Sequence, residues 1–232
     1  MEKREKNCFF ITGTSTNIGK TFISALLVKQ LSSFGSVSYM KPVQTGCILN
    51  DNQSLEAPDF EFVKEHSRPE IVGSISDHVP YCFEPACSPH LAASLKKETI
   101  DFSRIKRSFE KISAQVDFTI VEGAGGIFAP LSETAFIIDL IIFLDIQVLL
   151  VTTPGLGTLN HTFLTIKQLR DANITIAGVV MNNQGDVPRD YIYEDNRRMI
   201  QQFSQPVPFL EVSYGAISDE QTKKFCQRIR SI

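Results

Sequence analysis

One turn constrains this chain more than anything else in it: Gly13-Thr14-Ser15-Thr16-Asn17-Ile18-Gly19-Lys20-Thr21. The apolar run CFFIT at 8–12 precedes it. Residues 20–34 follow, with Ile23, Leu26, Leu27, Leu31 and Phe34 on one helical stripe ahead of Gly35. A strand that turns tightly and leaves as a helix aims successive backbone N–H groups, and the positive end of the helix dipole, at one spot. Such a spot holds a polyphosphate, with Lys20 reaching the β and γ phosphates and Thr21 on a magnesium ion. The turn departs from the strict phosphate-loop pattern, because Gly13 lies one residue early and Thr14 stands at the first-glycine position.

The rest of the pattern extends the same architecture. Residues 37–40, 118–121, 148–152 and 176–181 are short apolar runs that read as strands buried on both faces, the mark of a parallel sheet. Leu159, Phe163, Ile166 and Leu169 form a second helical stripe, entered through Pro154-Gly155-Leu156-Gly157. Alternating strands and helices predict an α/β fold: a doubly wound, mostly parallel sheet of the P-loop NTPase type, with helices on both faces and ligands at the carboxyl ends of the strands. A chain of 232 residues suits one domain, 1–232. Residues 50–100 carry Pro58, Pro69, Pro80, Pro85 and Pro89 and read as short helices and loops within that domain. A helix over 191–203, a strand over 207–210 and a polar end complete the reading.

Charge and cysteine usage exclude several functions. With 23 Lys+Arg against 26 Asp+Glu the formal charge is -3, so no bulk field draws nucleic acid or anionic lipid, and any phosphate affinity is local. The long apolar run at 136–151 contains Asp139, Asp145 and Gln147, which makes it a buried helix and strand rather than a membrane span. Five scattered cysteines, Cys8, Cys47, Cys82, Cys87 and Cys226, behind a charged N-terminus without an apolar signal core, predict free thiols in a cytoplasmic protein. Cys82 and Cys87 lack the partners of a zinc site.

Two further motifs end strands. In Val121-Glu122-Gly123-Ala124-Gly125-Gly126 a carboxylate sits where a doubly wound sheet places it beside the phosphate loop, so Glu122 can hold magnesium. In Met40-Lys41-Pro42-Val43-Gln44-Thr45-Gly46, Lys41 interrupts an apolar run at the ligand edge, where its ammonium can neutralise a transferred phosphoryl group. Of the histidines, His90 reads as ordering a proline-rich loop, His161 as following the loop at 155–160, and His66 and His78 as solvated.

Taken together, GTSTNIGKT, MKPVQTG, VEGAGG and GLGTLNH, in this order from about residue 9 to 183, resemble the dethiobiotin synthetase family. The shifted glycine is the form that family uses. The resemblance implies a P-loop ligase that uses ATP and magnesium to carboxylate 7,8-diaminononanoate with CO2 or bicarbonate and close the ureido ring through a carbamate and a carbamic-phosphoric anhydride. It also implies a homodimer with the substrate site at the subunit interface. Carried over by position, Lys20, Lys41 and Thr14 are the catalytic set. Thr45, with Gly157, Thr158, Leu159 and Asn160, takes the diamino acid, the last four binding its carboxylate across the interface. Asn17, Ile18, Gly19, Lys20, Thr21, Phe22, Glu122, Gly125 and Asn182 contact the nucleotide, Asn182 at the adenine. Thr21, Asp59 and Glu122 surround the metal. Two positions depart from the family: Asn17 replaces an acid, and beyond Asn183 either Tyr191 or Tyr193 stands where a tyrosine meets the substrate.

Two other protein types share a phosphate loop of this kind. A cobyrinate-diamide type synthetase needs an amidotransferase domain for which the length leaves no room. A ParA- or MinD-like ATPase switch carries a second lysine early in its phosphate loop, where this chain has Thr14 and Ser15.

Overall fold

The structure, a computed structural model, describes residues 7–183, 187–213 and 219–231. The chain opens with β1 (Asn7–Gly13), α1 (Lys20–Leu31), β2 (Val37–Met40) and β3 (Val43–Thr45). A short excursion follows through β4 (Ile48–Leu49), β5 (Leu55–Glu56), α2 (Pro58–Ser67), α3 (Ile75–His78), β6 (Tyr81–Phe83) and α4 (Pro89–Leu95). Then come α5 (Phe102–Ser113), β7 (Phe118–Gly126), α6 (Ile137–Leu144), β8 (Gln147–Thr152), α7 (Thr158–Asp171) and β9 (Ile176–Asn183). The chain closes with α8 (Tyr191–Ser204), β10 (Phe209–Ser213) and α9 (Asp219–Ile229).

The main sheet has the order β10-β9-β8-β1-β7-β2, and every pairing in it is parallel. Alternation along β1 shows why it sits at the centre. Phe9 and Ile11 face one core with Ile23, Leu27 and Leu31 of α1 and Phe225 of α9, while Cys8 and Phe10 face another with Ile105, Ile141 and Ile166. Each such side chain removed from water contributes about 1.5–3 kcal/mol, which is what fixes both helical layers onto the sheet. At the carboxyl end, β1 and β7 approach so closely that a side chain on Gly126 would meet the Gly13 carbonyl at 3.0 Å. The two ligand-edge turns therefore touch.

The structure corrects several expectations in detail. α1 ends at Leu31 rather than Phe34, because the next residues turn: Phe34 N–H donates to the Leu31 carbonyl. Gly35 instead leaves room for the Asp117 carboxylate, which accepts from the Ser36 amide and hydroxyl at 2.9 Å each. β10 starts at Phe209 rather than Val207, since the Val207 amide is used in a turn to Ser204 and Pro208 has no N–H to give a ladder. Residues 50–100 form α2, α3 and α4, and also supply partners for two small ladders, parallel β3–β6 and antiparallel β4–β5. The β3–β6 register, with Gln44 opposite Cys82, brings Cys47 and Cys82 together as a disulfide with Cα atoms 6.0 Å apart. Free thiols are the sequence expectation for all five cysteines; Cys47 and Cys82 are instead joined, which weakens the compartment argument that rested on them. Among the described residues no helix is long and apolar enough to cross a membrane.

Candidate active site

The phosphate loop is held in an anion-binding shape by its backbone. Gly19, at φ 83° and ψ 30°, takes the left-handed conformation that turns the chain into α1, and Asn17 has φ 57°. The Thr14 amide donates to the Val151 carbonyl and ties the loop to β8. Lys20, the first residue of α1, is buried and arches back to donate from Nζ to the Ser15 carbonyl at 3.2 Å. Burial, then the nearby Lys41 charge, lowers its pKa to about 8, against the opposing pull of Glu122 and Asp59. Ile18 is buried and Phe22 half-buried against the core on the α1 side.

Beside the loop lies a cluster assembled from four elements. Lys41, just past β2, places Nζ 2.7 Å from Asp59 Oδ2 and 2.7 Å from Glu122 Oε1. Asp59 comes from the first turn of α2, where helix geometry favours an acid, and Glu122 from the middle of β7. The Thr21 hydroxyl donates to Glu122 Oε1 at 2.9 Å and lies within reach of Asp59. Burial alone would lower the Lys41 pKa, but Glu122 and then Asp59 raise it above the ordinary lysine value. Burial works against ionisation of Asp59, yet the Lys41 charge and bonds from Lys41, Thr21 and Gln44 hold its carboxyl below the usual range. A buried ammonium shared by two carboxylates is an ionised constellation, and leaving one member uncompensated costs about 3–5 kcal/mol.

The donor set suits a hard cation. Two carboxylates and a hydroxyl, with phosphates to complete the shell, match magnesium, which binds through few protein oxygens. Among the described residues no group of three or more His, Cys, Asp and Glu forms a cage of its own.

Other expected positions lie along the same edge. Thr45 ends β3, half-buried, and the Gln44 amide beside it donates to the Thr45 carbonyl at 2.9 Å. Gly125, at φ 68°, would direct a side chain to within 3.7 Å of the Thr16 hydroxyl, so Thr16 and the β7 turn border one gap. Gly157, at φ 89°, caps α7 at the end of β8. The Thr158 amide is used on the Gly155 carbonyl, and its hydroxyl turns inward to Thr152 at 2.9 Å, while Leu159 is half-buried and Asn160 exposed. Asn182, buried at the end of β9, donates to the Ile18 carbonyl at 2.8 Å and leaves its Oδ1 without a partner. Of the two tyrosines after Asn183, Tyr193 is buried and donates to Glu211, whereas Tyr191 is 83% exposed.

Several residues escaped the sequence reading. Ser24 and Tyr39 both bond Glu122 from below, and each is a hydroxyl in an otherwise apolar buried stripe, the one signal that could have marked them. His78, expected to be solvated, is fully buried with Nδ1 2.7 Å from the Tyr39 carbonyl and Nε2 2.9 Å from that of Val72. A groove of about 780 Å³, lined by Asn7, Cys8, Gln147, Asn173 and Thr175 among others, lies at the opposite, amino ends of the strands and gathers none of these groups.

A family model described as an AAA domain matches residues 7–220. The ATP-dependent dethiobiotin synthetase BioD of Methanococcus vannielii is 39% identical over 195 residues, covering 84% of this chain and 87% of its own length. That of Fusobacterium nucleatum is 34% identical over 220 residues, covering 94% and 97%. Among solved structures, a ParA family ATPase from Chlorobium tepidum superposes with a TM-score of 0.54 at 16% identity, covering 97% of this chain and 92% of that one. The septum site-determining protein MinD from Pyrococcus horikoshii gives 0.53 at 16%, covering 97% and 89%. At that identity the two structures share the fold alone.

Proposed function

The chain belongs to the ATP-dependent dethiobiotin synthetases, ligases of biotin synthesis, and on that footing we propose how its own residues carry the reaction. The substrates are 7,8-diaminononanoate and CO2. One amine adds to CO2 as a carbamate; a carbamate oxygen attacks the γ phosphate of ATP, releasing ADP and leaving a carbamic-phosphoric anhydride. The second amine then attacks the carbamoyl carbon, phosphate departs and the ureido ring closes.

The observation that carries this reading is the pairing of two buried lysines, Lys20 in the phosphate loop and Lys41 between Asp59 and Glu122. The chemical task is to bring carbamate and triphosphate together, and fixed ammonium groups in a desolvated site counter that crowding. Lys20 bonds the β and γ phosphates and Lys41 the carbamate and the transferred phosphoryl group, with Thr14 and Thr45 donating hydrogen bonds to the same centre. Backbone amides from Asn17 to Phe22 cradle the phosphates and Gly125 lets the β7 turn approach. The unpartnered Oδ1 of Asn182 is an acceptor suited to the adenine amino group. Thr21, Asp59 and Glu122 hold Mg2+, which when bound offsets phosphate charge.

The substrate carboxylate meets the first turn of α7, at Gly157, Thr158, Leu159 and Asn160, across a homodimer interface where Leu156 is 92% exposed on the isolated chain. Exposed Tyr191 is the tyrosine free to reach a substrate. We also place the whole chain, 1–232, in one domain, since the packing of α2 on α1 and of α3 on α5 ties the irregular segment to the helices that cover the sheet, and we assign it to the cytoplasm. The test is ADP release with both substrates and with each omitted in turn. Release that ignores the diamine would reject the assignment, and sedimentation checks the dimer.

A further inference from the structure

Glu122 is held by four donors that divide between its two oxygens. Oε1 accepts from the Thr21 hydroxyl at 2.9 Å and the Lys41 ammonium at 2.7 Å, both groups of the reaction site. Oε2 accepts from the Ser24 hydroxyl at 2.7 Å and the Tyr39 hydroxyl at 2.9 Å, both fully buried within the fold. Each oxygen thus has both lone pairs engaged; what separates them is that the donors to Oε2 are locked in the core, whereas those to Oε1 belong to the reaction site and can yield that oxygen to a cation. Tyr39 does more than donate. Its ring stacks on Phe60 at 6.1 Å, and Phe60 is the neighbour of Asp59 on α2. One side chain thus braces the β7 carboxylate through its hydroxyl and the α2 carboxylate through its ring.

We infer that Ser24 and Tyr39 are positioning residues that make Glu122 a one-oxygen ligand, turning Oε1 alone toward the metal. This rests on the reading of Glu122 as a metal ligand given above. Both are fully buried behind the carboxylate and act by fixing its rotamer. Outer hydrogen bonds of this kind typically change metal affinity about 10–100-fold.

Mn2+ binding in the presence of adenylyl imidodiphosphate, followed by electron paramagnetic resonance, is the direct readout. Tyr39→Phe keeps the ring packing and Ser24→Ala keeps the helix, so each removes one bond to Oε2. Each should weaken Mn2+ at least about tenfold, and the double variant should approach Glu122→Gln. Metal-free binding of the same analogue should stay at its wild-type value, while the thermal midpoint falls modestly because buried Oε2 loses a donor. In turnover, the Mg2+ needed for half-activation should rise by the same factor while kcat at saturating Mg2+ falls less than about threefold. If Glu122→Gln weakens Mn2+ and both hydroxyl variants bind within about twofold of wild type, the positioning role is wrong and the ligand reading stands. If Glu122→Gln itself leaves Mn2+ binding unchanged, the ligand reading fails and takes this inference with it.

Discussion

The carboxyl edge of the sheet has two halves built from different materials. Beyond β1, β7 and β2 stand buried charges: Lys20, Lys41 and Glu122, with half-buried Asp59. Among the described residues, the side chains that end β8 and β9 and pack on the start of α7 are neutral: a hydroxyl trio of Thr152, Thr158 and Thr162, and the amides of Asn182 and Asn183. Charges that face one another across a dry site are suited to a step in which charge moves. Neutral dipoles and helix amides are suited to holding a group whose charge does not change. The first half should govern kcat and the second KM.

The largest expected effect is that of Lys20→Ala, which removes a phosphate contact and a stabiliser together: turnover falls at least ~100-fold and analogue binding weakens with it. Lys41→Ala should also cut turnover at least ~100-fold, yet leave nucleotide binding mostly intact, as steady-state rates and analogue titration together would show. Loss of the ammonium leaves Asp59 and Glu122 facing each other, so a lower thermal midpoint should accompany it and recover on adding Mg2+ and nucleotide. Near-normal turnover of either variant would remove the charged half from the chemistry.

A pH series sharpens the same side. Because the Lys20 value is lowered to about 8, its ammonium is charged below that pH and neutral above it. Metal-free analogue binding should therefore weaken as pH rises through about 8, and Lys20→Ala should flatten the profile. On the neutral half, Asn160→Ala should raise KM for the diamine about tenfold with little change in kcat, the cost of one hydrogen bond to a charged group. Asn182→Ala should have the smallest effect, raising KM for ATP a few-fold and relaxing the choice of base. A fall in kcat for Asn160→Ala comparable to that for Lys41→Ala would erase the distinction between the halves.

Much of the charged half was legible in the chain because each motif follows a strand and local sequence dictates the turn. The loop at 13–21, Lys41 after its apolar run and Glu122 within VEGAGG all read from neighbours a few residues away. Asp59 required family resemblance, since an acid in a first helical turn has a local use as well. Ser24, Tyr39 and buried His78 are hard to read from the chain: their partners lie across the fold, as Glu122 does from Ser24, and the one local mark of the first two is a hydroxyl in an apolar stripe. The Cys47–Cys82 bond was missed likewise, because a three-residue ladder of β3 on β6 leaves no periodicity to read.

What the amino-acid order settled by itself was the alternation of buried strands and amphipathic helices and the anion-gripping turn, since backbone geometry and burial act over a few neighbouring residues. Only the folded molecule decided which oxygens of Glu122 serve the site and which serve the scaffold. That choice depends on strands that meet by sheet order, where residues 24, 39 and 122 come within hydrogen-bonding distance through parallel crossovers and not through proximity along the chain.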